Sequence, residues 1–210
     1  MSANKIRALG LAAALVVWSL AEPRMPSRWH PVPHAVLGTA LAAATKAPLG
    51  LRRPSSCSGA RHGLAVAATI AVGTAVATAL RPVRAAMASR ELPAAPVRWL
   101  AVGIPLGTVW FEETAYRGAL GALATDAFGP TWGRLLQAAA FGLSHIADAR
   151  AGAVPVAPTV VVTGVAGWLF AWLAGRSGSL IAPMLAHLAI NEAGAVAALT
   201  VQRIGSAHER

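Results

Sequence analysis

The chain has 210 residues, of which 56% are hydrophobic and 12% are charged, and 18 Lys and Arg against 8 Asp and Glu give a formal net charge of +10. Soluble domains carry about 25% charged residues, so too few charges are present here to cover a water-exposed surface. The basic residues punctuate apolar runs, as charges beside membrane spans do, and form no stripe interleaved with aromatic residues. We therefore expect a protein whose partner is the lipid bilayer and which binds no nucleic acid.

Apolar runs between charged residues predict seven or so spanning helices, since a span needs about 20 apolar residues. In chain order the runs cover approximately 8–21, 32–49, 62–80, 97–113, 132–146, 156–174 and 180–201. The first run could be a signal peptide cleaved after Ser19-Leu20-Ala21, but the many later spans favour an uncleaved helix. The prediction is an all-α, polytopic transmembrane bundle of about six to eight helices. Abundant Ala and a preference for Arg over Lys point to a bacterial inner (plasma) membrane.

Two basic segments, 51–61 and 81–98, interrupt the apolar runs and are predicted to be linkers. The second separates an Ala-rich first half from a second half that contains nearly every unusual polar residue. We therefore divide the chain into generic N-terminal transmembrane helices (1–96), a functional core (97–201) and a polar C-terminal tail (202–210).

Two adjacent carboxylates, Glu112 and Glu113, directly follow the apolar run 99–111. A charge at the bilayer centre costs about 2.5–3.5 kcal/mol on insertion scales, so intramembrane carboxylates need a partner or a function. Arg117 lies one helical turn after Glu113, and this i,i+4 spacing predicts an ion pair. Glu112 is rotated by about 100° from Glu113 and need not share that partner. An ordinary helix end with a surface ion pair is the plainer interpretation of the same segment.

Polar residues also interrupt the later apolar runs. His145 ends one run, and His187 is followed four positions later by Asn191, on the same helical face. A buried His is more often a hydrogen-bonded core residue than a catalyst, and a buried amide can simply hold helices together. Buried polar groups still need partners, so we expect Glu112, His145, His187 and Asn191 to converge from three facing helices. Together they offer a base, a proton carrier and neutral donors for an oxyanion, which amide hydrolysis requires.

Three ordered motifs make the chain resemble the CPBP family of intramembrane glutamic endopeptidases, which includes CAAX proteases and bacteriocin-processing enzymes and is also called the Abi family. The motifs are Glu112-Glu113-Thr114-Ala115-Tyr116-Arg117, the pair Phe141 and His145, and the pair His187 and Asn191. One motif alone would be weak evidence, but the ordered set is specific. The resemblance covers about 97–191, whereas the first half matches only as generic membrane helix.

The resemblance implies that the core is an intramembrane endopeptidase on an all-α bundle. It implies that Glu112 and His145 activate a water molecule. It also implies that His187 and Asn191 hold the tetrahedral oxyanion. The substrate would be a peptide or a membrane protein.

The remaining motif residues are implied to support the site: Glu113, Arg117 and Phe141. The i,i+4 spacing independently favours the Glu113–Arg117 pair. Neither a cofactor nor a metal ion is expected.

Other functions remain open for this sequence. Two His and a Glu are a workable zinc ligand set, although no His-Glu-x-x-His occurs. A serine protease is disfavoured because Ser144 points about 100° away from His145 on a helix. A non-proteolytic scaffold or bacteriocin-immunity protein would use the polar cluster only to hold helices together. A transporter would use it as a proton relay, but no internal repeat is present.

Overall fold

The computed structural model describes residues 2–21 and 31–208, which are helical almost throughout and contain no strand. The elements in chain order are α1 (Ala3–Ala21), α2 (Val32–Ala44), α3 (Ser55–Thr78), α4 (Arg81–Ala88), α5 (Pro96–Arg98), the π-helices π1 (Trp99–Trp110) and π2 (Glu113–Leu120), α6 (Gly121–Ser144), α7 (Ile146–Ala151), α8 (Val156–Ser177) and α9 (Ile181–His208). The all-α prediction is confirmed.

Four helices are long and apolar enough to cross a membrane, namely α1, α3, α8 and α9. Their outer faces carry large apolar side chains that are more than half exposed, among them Val17, Leu64, Val72, Val76, Val161 and Val162. An apolar surface of this extent is unfavourable in water and suits contact with lipid. The chain is therefore a multi-pass membrane protein.

Several predicted boundaries differ from the structure. α2 has only 13 residues and stops at Ala44, well short of the predicted end at 49, and the loop after it contains two left-handed residues, Lys46 and Gly50. The predicted linker 51–61 is wrong over its second part, because α3 begins at Ser55. The predicted linker 81–98 contains α4, in which Pro82 occupies the first turn, where its missing N–H is tolerated. The predicted tail 202–210 continues α9 as far as His208.

The helix that carries the carboxylate pair is wider than an α-helix. Residues 99–110 and 113–120 form π-helices, interrupted at positions 111 and 112. Their i→i+5 hydrogen bonds turn the chain by less per residue than an α-helix does, and such segments are frequent at functional sites. Glu112 itself has α-helical φ and ψ of −67° and −40° and directly precedes the second π-helix.

α6 is two arms joined at Gly129, whose φ of 78° and ψ of 170° interrupt the helix just before Pro130. A Cβ added to Gly133 would lie 2.7 Å from the backbone of both Ala124 and Thr125. Residues nine apart in a straight helix are separated by about 13 Å, so this contact shows that the chain folds back on itself. The predicted fifth span, 132–146, corresponds to the second arm, which ends at Ser144.

Glycines let the helices around the second arm and α9 approach closely. A Cβ on Gly142 would meet the backbone of α8 at Val160, 2.6 Å away. A Cβ on Gly63 of α3 would lie 2.9 Å from the backbone of Ala182 in α9. Small residues at membrane-helix interfaces allow such approach. These contacts join the second arm of α6 to α8 and join α3 to α9, and α6 and α9 in turn pack against the π-helices.

Candidate active site

The imidazole of His187 lies between the two neighbouring glutamates. Its Nδ1 is 2.8 Å from Oε1 of Glu113, and its Nε2 is 3.8 Å from Oε2 of Glu112. The first distance is a hydrogen bond in which Nδ1–H donates to the carboxylate, whereas the second is too long for one. The ring is therefore held by Glu113, and its Nε2 faces Glu112 but makes no hydrogen bond with it.

Glu113 is fully buried and has two partners at the same oxygen. Arg117 Nη1 is 3.3 Å from Oε1 of Glu113, the atom that also accepts from His187. The predicted i,i+4 pair is present. The i,i+4 spacing did not predict the second partner, His187 on α9, which donates to the same carboxylate. A carboxylate buried at 0% exposure is stabilised by both contacts.

Arg117 also lies against two aromatic rings. Its guanidinium carbon is 3.8 Å from the centroid of the Phe141 ring and 5.0 Å from that of Phe170. Both distances are within the range of cation–π attraction, which is strongest where water is excluded. The Phe170 ring also stacks on His187, with centroids 5.1 Å apart. The two aromatic residues thus fix the cation and the imidazole relative to each other.

His145 stands at the end of α6, half-buried, with its ring 4.7 Å from that of Phe141. Its Nδ1 is 2.8 Å from the backbone carbonyl oxygen of Phe141. A carbonyl can only accept, so Nδ1 carries the proton in this contact, and Nε2 of the neutral ring is a proton acceptor. His145 therefore has the tautomer that a general base requires.

The hydroxyl of Ser144, the residue before His145, is not activated for nucleophilic attack. Ser144 Oγ is 3.4 Å from Nδ1 of His145, closer than the sequence suggested, but it donates to the carbonyl of Phe141 at 2.8 Å. Because Nδ1 of His145 already donates to that same carbonyl, it cannot accept the serine proton. The contact does not form an activated serine.

Asn191 lies half-buried on α9, one turn beyond His187. Its side-chain Nδ2 donates to the backbone carbonyl of His187 at 3.1 Å. One amide proton is therefore occupied within the helix, and the second proton and the side-chain oxygen remain for other partners. The amide is anchored beside the imidazole, on the same helix.

Two residues that the sequence did not single out belong to this cluster. Phe170 contacts both Arg117 and His187, but it lies in an almost uniformly apolar helix and carries no polar signal. Gly167 provides space for Phe141, since a Cβ there would lie 2.8 Å from the Phe141 ring.

The cluster does not have the form of a metal centre. In the described part of the chain, no three His, Cys, Asp or Glu side chains are grouped so that they could hold an ion. The chemistry that this arrangement can support is proton transfer and hydrogen bonding by His187, His145 and the glutamates.

The cluster lies within a segment of the chain that matches a known protein family. Residues 94–193 match the family model of the Rce1-like type II CAAX prenyl endopeptidases, and this range contains every residue of the cluster. The chain matches no curated protein and no solved structure.

Proposed function

We propose that the chain is an intramembrane glutamic endopeptidase, because its residues 94–193 match the family model of the Rce1-like type II CAAX prenyl endopeptidases. It hydrolyses a peptide bond of a membrane-associated protein or peptide with a water molecule activated by Glu112 and His145. The family match supports membrane proteolysis in general.

The observation that carries the proposal is the unequal environment of the two glutamates. Glu113 is buried and bonded to His187 and Arg117, whereas Glu112 is half-buried and its Oε2 makes no hydrogen bond with the described residues. One carboxylate is thus structural and the other is free to take a proton. Two neighbouring carboxylates with different surroundings are the usual means of dividing such roles.

In the proposed reaction, a water oxygen attacks the carbonyl carbon of the scissile bond as one of its protons passes to the Glu112 carboxylate. His145, through its unprotonated Nε2, accepts a hydrogen bond from the other proton of the same water and orients it. The C–O bond forms, and the carbonyl oxygen becomes an oxyanion. The C–N bond then breaks as the proton returns to the departing amine, so that a new carboxylate and a new amine are released.

The oxyanion is stabilised by the α9 side chains. His187 Nε2, which is 3.8 Å from Glu112 and not hydrogen-bonded to it, can donate to the substrate oxygen when it carries a proton. Asn191, anchored on the carbonyl of His187, has a second amide proton for the same oxygen. Removing one donor of an oxyanion hole costs about 3 kcal/mol in other hydrolases.

A comparison of bacterial strains tests the proposal in the membrane. A strain that lacks the chain is complemented with the wild type or with Glu112→Gln, and the new N-termini of membrane proteins are identified by mass spectrometry. The proposal predicts a set of termini present only with the wild type, at equal expression of both proteins. Identical termini in both strains, with the phenotype restored by both, would instead identify a non-proteolytic scaffold or immunity protein.

A further inference from the structure

A groove lies at the end of α9 that is far from the proposed active site. Its volume is about 500 Å³, and it runs between α4 and the last turns of α9, where Ile204 is one of its lining residues. His187 precedes Ile204 by about 25 Å along the helix, at 1.5 Å per residue. The groove is therefore separate from the catalytic cluster.

The α4 wall of the groove is one face of that helix. It consists of Arg81, Arg84, Ala85 and Ala88, whose spacing of three and four residues places them side by side. All four are exposed. The small alanines leave the C-terminal part of the groove open, and the two arginines concentrate positive charge at its other end.

The two arginines of this wall have no carboxylate to pair with among the described residues, since neither takes part in an ion pair there. Like charges one turn apart on a helix repel each other, so an anion between Arg81 and Arg84 would stabilise the pair. A guanidinium presents its N–H groups in a planar fork that matches two oxygens of a phosphate. The charge therefore favours a ligand that contains a phosphate.

Contacts outside the groove fix α4 in position. Gln202 Nε2 of α9 donates to the backbone carbonyls of Met87 at 3.1 Å and of Arg90 at 2.8 Å. The last carbonyls of a helix otherwise lack a partner, so this amide caps α4 and ties it to α9. The hydroxyl of Thr78 in α3 donates to Met87 Sδ at 3.5 Å, and the Arg90 guanidinium lies 5.9 Å from the Trp99 ring. The groove is thus formed by anchored helices.

The groove lies at the surface of the membrane. α3 is long and apolar enough to cross a membrane, and it ends at Thr78, just before α4 begins. α9 is also long enough to cross, and Val201 and Ile204 in its last turns form the apolar wall opposite the arginines. Arginines that directly follow a span lie among the lipid headgroups. The groove therefore offers positive charge and apolar surface at the depth where a phospholipid has its phosphate and its first acyl carbons.

We propose that the groove binds an anionic phospholipid, with the lipid phosphate between Arg81 and Arg84 and the first part of the acyl chains along Val201 and Ile204. A lipid fits better than a soluble phosphate because one whole wall is apolar and the groove lies at the membrane surface. Gly205 keeps that wall low, since nothing lies within 4 Å of a Cβ added to it. Binding at this groove does not depend on the proposed hydrolysis.

Native mass spectrometry of the detergent-purified protein tests this site. The protein is mixed with equal amounts of phosphatidylglycerol and phosphatidylcholine that have identical acyl chains, and the ratio of the two complexes with one bound lipid is measured. An arginine beside an anionic lipid favours binding by a factor of about five. We therefore expect the wild type to prefer phosphatidylglycerol about 25-fold, and the double variant Arg81→Gln with Arg84→Gln to give a ratio near one.

Arg52→Gln with Arg53→Gln is the matched control, because these two arginines are exposed beside the other end of α3 and their replacement removes the same charge. The control should keep the wild-type ratio. Gly205→Leu retains both arginines of the groove but fills the open space beside the apolar wall. It should lower the retention of phosphatidylglycerol while leaving the net charge unchanged.

Equal retention of the two lipids by the wild type would overturn the proposal. An equal fall in the groove variant and in the control would also overturn it, because net charge and no particular site would then explain the preference. Unchanged binding by Gly205→Leu would exclude the apolar wall from the site and contradict the assigned lipid position. Displacement of the lipid by millimolar inorganic phosphate would assign the arginines to a soluble anion and refute the lipid as the occupant.

Discussion

His187 Nδ1 lies 2.8 Å from Glu113 Oε1, although 74 positions separate the two residues in the chain. The bond joins α9 to π2 at the centre of the polar cluster, and Arg117 contacts the same carboxylate oxygen. Because Glu113 is fully buried, it depends on these two partners for its charge. The proposed oxyanion donor is therefore held in place by the second glutamate of the pair, to which the proposal assigns no proton transfer.

Arg117→Ala should destabilise the fold as well as reduce activity. Removing one partner of a buried pair leaves an uncompensated charge and costs about 3–5 kcal/mol. The variant also loses the contact with the Phe141 ring. The measurement is the thermal unfolding midpoint in detergent, together with the yield of monodisperse protein.

Arg150→Ala, an exposed arginine on α7, is the control and should unfold like the wild type. The double variant Glu113→Gln with Arg117→Ala should recover part of the lost stability, because no buried carboxylate is then left unpaired. If Arg117→Ala were as stable as the wild type and yet inactive, Arg117 would have to be assigned to the chemical step.

Gly167→Ala should disturb the site from a distance. The added Cβ would lie 2.8 Å from the Phe141 ring, and overpacking of this kind typically costs about 1–3 kcal/mol. Movement of Phe141 would displace both His145 and Arg117, whose contacts pass through that ring. Peptide cleavage and the unfolding midpoint should therefore fall together.

Gly73→Ala in α3 is the matched substitution, since nothing lies within 4 Å of its added Cβ. It should leave cleavage unchanged and stabilise the helix by up to about 1 kcal/mol. Equal behaviour of the two variants would show that Phe141 is not held in place by close packing at position 167.

The sequence predicted the helical class and the Glu113–Arg117 pair because both depend on local periodicity and spacing. The contact of Glu113 with His187 could not be predicted, since it depends on which faces of π2 and α9 meet. The π-helical hydrogen bonding of residues 113–120 could not be predicted either, because it depends on tertiary context.

The surroundings of Phe170 and Gln137 were missed for a different reason. Phe170 lies in an apolar helix, where a large apolar residue is expected whether it faces lipid or the site. Its contacts with Arg117 and His187 therefore cannot be predicted from the sequence pattern. Gln137 looks like an ordinary polar residue until its burial is seen. The fold-back at Gly129 and Pro130 has a local signal, but the sequence does not say which helices pack around it.

Hydrolysis should persist after metal removal. A carboxylate and a histidine can activate water without an ion when the base is in a cavity of low polarity. The measurement is peptide cleavage by detergent-purified protein before and after prolonged dialysis against a strong zinc chelator, with elemental analysis of the protein. Activity that disappears on dialysis and returns on adding zinc would make Glu112, His145 and His187 metal ligands.

The most direct measurement of the central claim is peptide cleavage by purified Glu112→Gln, compared with the wild type and with Glu91→Gln. Glu91 is an exposed carboxylate in the loop after α4, so the control makes the same chemical change outside the site. Removing a general base lowers the rate by about 10²–10⁴-fold, and we predict a loss of this size for Glu112→Gln alone, with an unchanged unfolding midpoint. Cleavage by Glu112→Gln at the rate of the Glu91→Gln control would contradict the glutamate mechanism.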